Sequence, residues 1–80
     1  MPTIARFAGC RIEMYFGDHP PPHFHIVSPN GTMKLTIQGH RVLAGNLPKR
    51  AIKDALEWAA ANEAILMDKW TEFREKEQQR

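Results

Sequence analysis

Apolar and polar residues alternate along the first half of the chain, a pattern typical of half-buried β-strands. The segment CRIEMYFG, for example, places Ile12, Met14 and Phe16 on one side of a strand. HFHIV and TMKLTIQ alternate in the same way, and shorter apolar stretches occur in TIARFAG and RVLAG. Turn signals such as SPNG separate these segments. We therefore predict a sheet of three to five antiparallel strands within residues 3–44.

After Gly45 the spacing of the apolar residues lengthens to three and four, which is the period of a helix. Asn46 is a candidate N-cap, and Pro48 suits the first helical turn because its missing N–H would have no partner there. Asn62 either begins a second helix or lies within one continuous helix. Strands followed by helices predict an α+β fold, with one or two C-terminal helices packed on one face of the sheet.

Eighty residues are enough for one domain, with a sheet part over residues 1–45 and a helical part over residues 46–80. The core of so small a domain is limited, so a partner, a dimer or a bound metal would add useful stability. The predicted core joins the inward side of the strands to one face of the helices: Ile12, Met14, Phe16, Phe24, Ile26, Leu35, Ile37, Ile52, Leu56, Leu66 and Trp70.

The composition argues against secreted and membrane classes. Cys10 is the only cysteine, so the chain cannot form an intramolecular disulfide. No segment approaches the ~20 apolar residues of a membrane span, and the N-terminus lacks the apolar stretch of a signal peptide. We expect a cytoplasmic protein that does not associate with a membrane.

Charge is distributed unevenly along the chain. Residues 1–53 carry seven Lys or Arg and two Asp or Glu, whereas residues 54–80 carry four and seven. Lys49, Arg50 and Lys53 fall in the first turns of the predicted helix, where positive charge opposes the helix dipole. An anionic partner would relieve this, so these residues are candidates for contact with nucleic acid or an acidic protein. The alternative is an ordinary solvated helix face.

The segment DHPPPHFHI contains three of the four histidines. Its prolines favour an extended bridge that supplies no N–H donors, which suits the edge of a sheet rather than its middle. His23 and His25 are two residues apart on a strand, so both project from one face, ~6–7 Å apart. We predict that they form a surface polar site at the sheet edge, with His19 on the loop above it.

Three kinds of chemistry fit this pair of histidines. They can hold a divalent metal, although His19 would lie ~12 Å away in an extended bridge, so a third ligand is lacking and any ion would be weakly held. They can act as acid and base in phosphodiester cleavage, with Arg11, Lys34 or Arg41 stabilising the charged intermediate. They can also simply fix the loop by hydrogen bonds to the backbone or to Asp18.

The opening MPTIARFAGCRIEMYFGDHPPPHFHI resembles that of a bacterial family catalogued as domain of unknown function 4160. The later segment VLAGNLPKRA is similar to the turn that precedes the family's helix, and Pro20 departs from the family pattern, where a polar residue is usual. The resemblance implies a compact bacterial α+β protein, often encoded beside another small protein and in some cases labelled toxin–antitoxin-like. The residues of the family's histidine block are Asp18, His19, Pro21, Pro22, His23, Phe24 and His25.

We therefore expect a small interaction module, one half of a two-gene toxin–antitoxin-like pair, that binds the adjacent gene's protein and can also bind nucleic acid. The alternative is a histidine-dependent nuclease in which His23 and His25 are catalytic, with or without a weakly bound divalent metal on the same two side chains. A homodimer is also compatible with the sequence. The candidate binding residues are Arg11, Asp18, His19, His23, His25, Lys49, Arg50 and Lys53.

Overall fold

The computed structural model describes residues 3–15 and 19–78. Its five strands form one antiparallel sheet in which each strand pairs with its neighbours in sequence, in the order β1-β2-β3-β4-β5. Two helices follow, which confirms the predicted α+β fold. The elements are β1 (Thr3–Arg6), β2 (Arg11–Glu13), β3 (His23–Ser28), β4 (Gly31–Thr36), β5 (Val42–Ala44), α1 (Lys49–Ala61) and α2 (Glu63–Gln78).

The strand register gathers large apolar side chains on one face of the sheet. Ile12 of β2 pairs with Ile26 of β3, which pairs in turn with Met33 of β4. Two residues along β3, Phe24 pairs with Leu35. Because side chains two apart on a strand share a face, these five form a continuous apolar surface across the three middle strands.

Both helices contribute buried side chains to the hydrophobic core that includes this surface. Of the residues predicted to be buried, Phe16 lies outside the described part of the chain. Leu56 was predicted to be buried but is only partly so: α1 buries Ile52, Ala55 and Ala59, and Leu56 packs against the core beside that line. The other predictions are confirmed, for Ile12, Met14, Phe24, Ile26, Leu35, Ile37, Ile52, Leu66 and Trp70.

The helix boundaries settle two questions that the sequence left open. Pro48, not Asn46, is the N-cap of α1, and no side chain caps that end by a hydrogen bond. Asn62 separates two helices: it is the C-cap of α1, and its carbonyl accepts a hydrogen bond of 3.1 Å from the N–H of Leu66 in α2. In the described residues no helix is sufficiently long and apolar to cross a membrane.

Gly45 carries the chain from β5 across the beginning of β4. Its φ is +84°, and a Cβ placed there would lie 2.2 Å from the carbonyl oxygen of Thr32 and 2.9 Å from the Cα of Met33. Both neighbouring atoms belong to the backbone, so neither can rotate away. Only glycine fits this crossing, because it has no Cβ and tolerates a positive φ.

We predict that Gly45→Ala is strongly destabilising. Its cost should exceed that of Gly39→Ala, because Gly39 has a similar φ of +80° but nothing within 4 Å of an added Cβ. Gly39→Ala should therefore be destabilised only by the backbone strain that the positive φ imposes on alanine, ~1–3 kcal/mol. Gly9→Ala, in open space, should be close to neutral. Urea unfolding of the three variants measures these differences, and a Gly45 variant no less stable than the Gly39 variant would contradict the predicted clash.

Candidate functional site

His23 and His25 lie on the middle strand of the sheet, on the face opposite Phe24 and Ile26. Their common face was predicted correctly, but their placement at an exposed edge was wrong. β2 and β4 flank β3 on either side, and the two residues retain only 3% and 7% of their surface exposure. The candidate site is therefore built into the sheet.

Aromatic side chains from other elements surround the two imidazoles. The ring of Tyr15 lies 4.3 Å from that of His25, and the ring of Trp70, from α2, lies 5.2 Å from that of His23, measured between centroids. The two imidazoles are themselves 5.1 Å apart in an edge-on arrangement. A helix and the residues after β2 thus supply contacts that the local sequence around β3 does not contain.

The proline segment orients His23 through a hydrogen bond. Nδ1 of His23 lies 2.8 Å from the carbonyl oxygen of Pro21. A carbonyl oxygen can only accept, so Nδ1 carries the proton of this bond. The peptide bond between Pro20 and Pro21 is cis. The hydrogen bond fixes the Pro21 carbonyl against the imidazole of His23.

Glu13 brings a carboxylate to the same face. It is the β2 partner of His25 and is buried. Its two carboxylate oxygens accept hydrogen bonds from Nε of Arg11 and from the Tyr15 hydroxyl, the latter at 2.9 Å. The Arg11 bond lowers the pKa of Glu13, and Tyr15 adds to this against the opposing effect of burial. Arg11, predicted as a binding residue, thus holds an internal carboxylate.

A pocket of ≈180 Å³ opens beside the histidines, between the proline segment and β5. Lys34 reaches it from β4, where its backbone pairs with His25 on one side and with Ala44 on the other. His19 is exposed, whereas Asp18 lies outside the described residues. The lining residues are His19, Pro20, Pro21, His23, Lys34 and Leu43.

The predicted binding residues separate into two places. Lys49, Arg50 and Lys53 are exposed on the first turns of α1 and take no part in the histidine pocket. Within residues 3–15 and 19–78, no group of three or more His, Cys, Asp or Glu side chains could hold a metal ion. From the sequence, Lys34 was predicted only as a possible charge stabiliser, and Tyr15 and Leu43 were not predicted as neighbours of the histidines.

We predict that Glu13→Gln reduces the dependence of stability on acid pH. Because folding lowers the pKa of Glu13, its ionised form stabilises the fold above the unfolded value of ~4.3, and this is lost as the pH falls through the folded value. The wild-type free energy of unfolding should therefore fall more steeply from about pH 6 to pH 3 than that of the variant. Urea unfolding followed by circular dichroism measures both slopes.

The matched control is Glu57→Gln, since Glu57 is an exposed carboxylate on α1. This variant should keep the wild-type slope. Identical slopes for the wild type and Glu13→Gln would show that the Arg11 and Tyr15 contacts do not stabilise the carboxylate.

Comparison with known proteins gives a single finding. No curated protein and no solved structure matches the chain. One family model does match, over residues 9–71, a range that includes the proline and histidine segment, the whole of β2 to β5 and α1. This match spans well over half of the chain, and the chain therefore belongs to the family described as Domain of unknown function (DUF4160).

Proposed function

We propose that the protein is a small interaction module that binds an extended acidic segment of a protein partner along β5. The observation that carries the proposal is the charge around this strand. Between Asp18 and Asp54 the sequence has no Asp or Glu at all, while it contains five Lys or Arg residues. This part of the chain includes β3, β4, β5 and the first turn of α1.

The β5 strand has the properties of an edge that accepts another strand. Among the described residues it pairs only with β4, and all three of its residues are exposed. Val42 and Leu43 retain 54% and 40% of their exposure, which is high for large apolar side chains. β1, at the other edge, is half-buried. An added strand on β5 would gain backbone hydrogen bonds and cover two apolar side chains.

The chemistry of this edge favours an acidic partner over a second copy of the chain. Arg41 precedes β5 directly, and Lys49 and Arg50 follow it within six residues. Positive charge and an irregular register, such as the shift between Lys34 and Leu35, are features that discourage edge-to-edge self-association. An acidic segment would meet attraction where a second basic edge would meet repulsion.

In this proposal the partner is the small protein encoded by the adjacent gene of a bacterial, cytoplasmic, toxin–antitoxin-like pair, as the family resemblance implies. The histidine-dependent nuclease is the competing proposal. It requires His23 and His25 to reach a phosphodiester, and the burial of both imidazoles favours binding over cleavage. Nucleic acid therefore enters the test as a competitor.

The test uses the full chain and a fluorescent peptide of about eight residues in which Thr and Glu alternate. We expect it to bind, and binding should weaken with added salt. A Thr–Lys peptide should not bind. The Thr–Glu peptide N-methylated at alternate residues should also fail to bind, because it keeps its negative charge but loses the backbone N–H donors along one edge of the peptide strand. Equal binding of the methylated peptide would contradict strand addition.

Charge reversal on the protein provides the matched pair. Arg50→Glu should weaken the Thr–Glu peptide ~3- to 10-fold, whereas Arg6→Glu, on the opposite edge strand, should leave the affinity nearly unchanged. Fluorescence anisotropy measures both. Equal effects of the two variants, or displacement of the peptide by a poly-U oligonucleotide at a lower concentration than unlabelled peptide, would overturn the proposal.

A further inference from the structure

Among the described residues that line the pocket beside β5, Lys34 is the one that carries a permanent positive charge. Lys34 is a cationic donor, and among the described residues no Asp or Glu lines the pocket. Pro20 and Pro21 have no N–H, and the Pro21 carbonyl already accepts from His23. The Lys34 ammonium, rather than the backbone of the prolines, is therefore the main group that a ligand in this pocket would meet.

Lys34 is the strongest indication of an anionic ligand. It is only partly exposed, it stands beside two imidazoles, and it forms no ion pair with any residue that the structure describes. Glu13 does not compensate it. That carboxylate is bonded to Arg11 and Tyr15, and it lies two strands away, ~9–10 Å between backbones. A partly desolvated ammonium with no counterion among the described residues would be stabilised by a bound oxyanion.

Leu43 connects this pocket to the proposed interface, because it is both an exposed residue of β5 and a wall of the pocket. A segment added to β5 presents every second side chain to the same face of the sheet. One of these side chains would therefore stand over the pocket. The ≈180 Å³ of the pocket is many times the ~10–15 Å³ that one water requires, so a carboxylate group that remains partly hydrated would fit.

We propose that this pocket is an oxyanion site that takes the carboxylate side chain of an Asp or Glu on the segment docked at β5, with Lys34 as its main ligand and His19 at its entrance. This inference rests on the proposed function and adds to it the specificity: an acidic residue at one fixed position of the partner. The contact is a charge-assisted hydrogen bond in a shielded place, so it contributes more than a surface cation would.

Substitution of Lys34 separates this proposal from the more general one. We expect Lys34→Gln to weaken the Thr–Glu peptide about tenfold, and Lys34→Arg to restore most of the affinity. Lys69→Gln is the matched control, because Lys69 is a comparably exposed lysine on α2 that lies 3.8 Å from Glu72. Its affinity should equal that of the wild type. Unchanged melting curves of the three variants establish that the fold is intact.

The results distinguish failure of the pocket from failure of the interface. Peptide binding that depends on Arg50 but not on Lys34 would overturn the pocket and leave the interface standing. Titrations with sodium acetate and with inorganic phosphate, followed through the NMR signals of Lys34 and His19, identify the oxyanion. We expect acetate to shift both signals in the wild type. Phosphate binding more than tenfold tighter than acetate, with no peptide binding, would overturn both the docked carboxylate and the proposed interface.

Discussion

The middle strand of the sheet is buried on both of its faces, and this constraint determines how the surrounding residues are arranged. One face of β3 needs only apolar neighbours, which β2, β4 and the helices provide. The other carries two imidazoles, and burying them demands hydrogen bonds and close packing. The Pro21 carbonyl, the Tyr15 ring and the Trp70 ring supply these contacts. The Arg11–Glu13–Tyr15 group extends the same buried polar layer onto β2.

This arrangement separates the most distinctive residues of the sequence from its most accessible surface. The histidines serve the interior of the sheet, while the exposed apolar and basic positions lie on and around β5. The pocket at Lys34 is where the two regions meet, since β3 and the proline segment form one side of it and β5 forms the other. An open edge strand that is joined through β4 to a buried middle strand is a suitable base for docking a partner, because the edge is held in place before the partner arrives.

Much of the fold was predictable because local patterns determine it. The alternation of apolar and polar residues predicted the strands, and the longer spacing of apolar residues after Gly45 predicted the helices. The structure contains both. The pairing of His25 with Lys34 could also have been predicted. Residues at equal distances from the SPNG turn face each other in a hairpin, and this relation fits every pair of the β3–β4 ladder. The sequence alone therefore predicts that Lys34 lies beside His25.

The burial of the histidines could not be predicted in the same way. It depends on Trp70, 47 positions after His23 in the sequence, and on a ladder that places β3 in the middle of the sheet. Proline-rich segments favour sheet edges, so local reasoning pointed in the wrong direction. The incomplete burial of Leu56 could not be predicted for a related reason. A helical period marks a broad apolar stripe, but only the packing partner decides which side of that stripe is fully covered.

His23 and His25 are buried within the sheet, and His23 is held there by its hydrogen bond to the Pro21 carbonyl. The imidazole protons test this arrangement most directly. Long-range ¹H–¹⁵N NMR spectra near neutral pH report which ring nitrogen carries the proton and how fast that proton exchanges with water. We predict a proton on Nδ1 of His23 that exchanges far more slowly than those of the exposed His19, because it is donated to the Pro21 carbonyl inside the fold. A His23 ring protonated only at Nε2, with exchange as fast as that of His19, would contradict this claim.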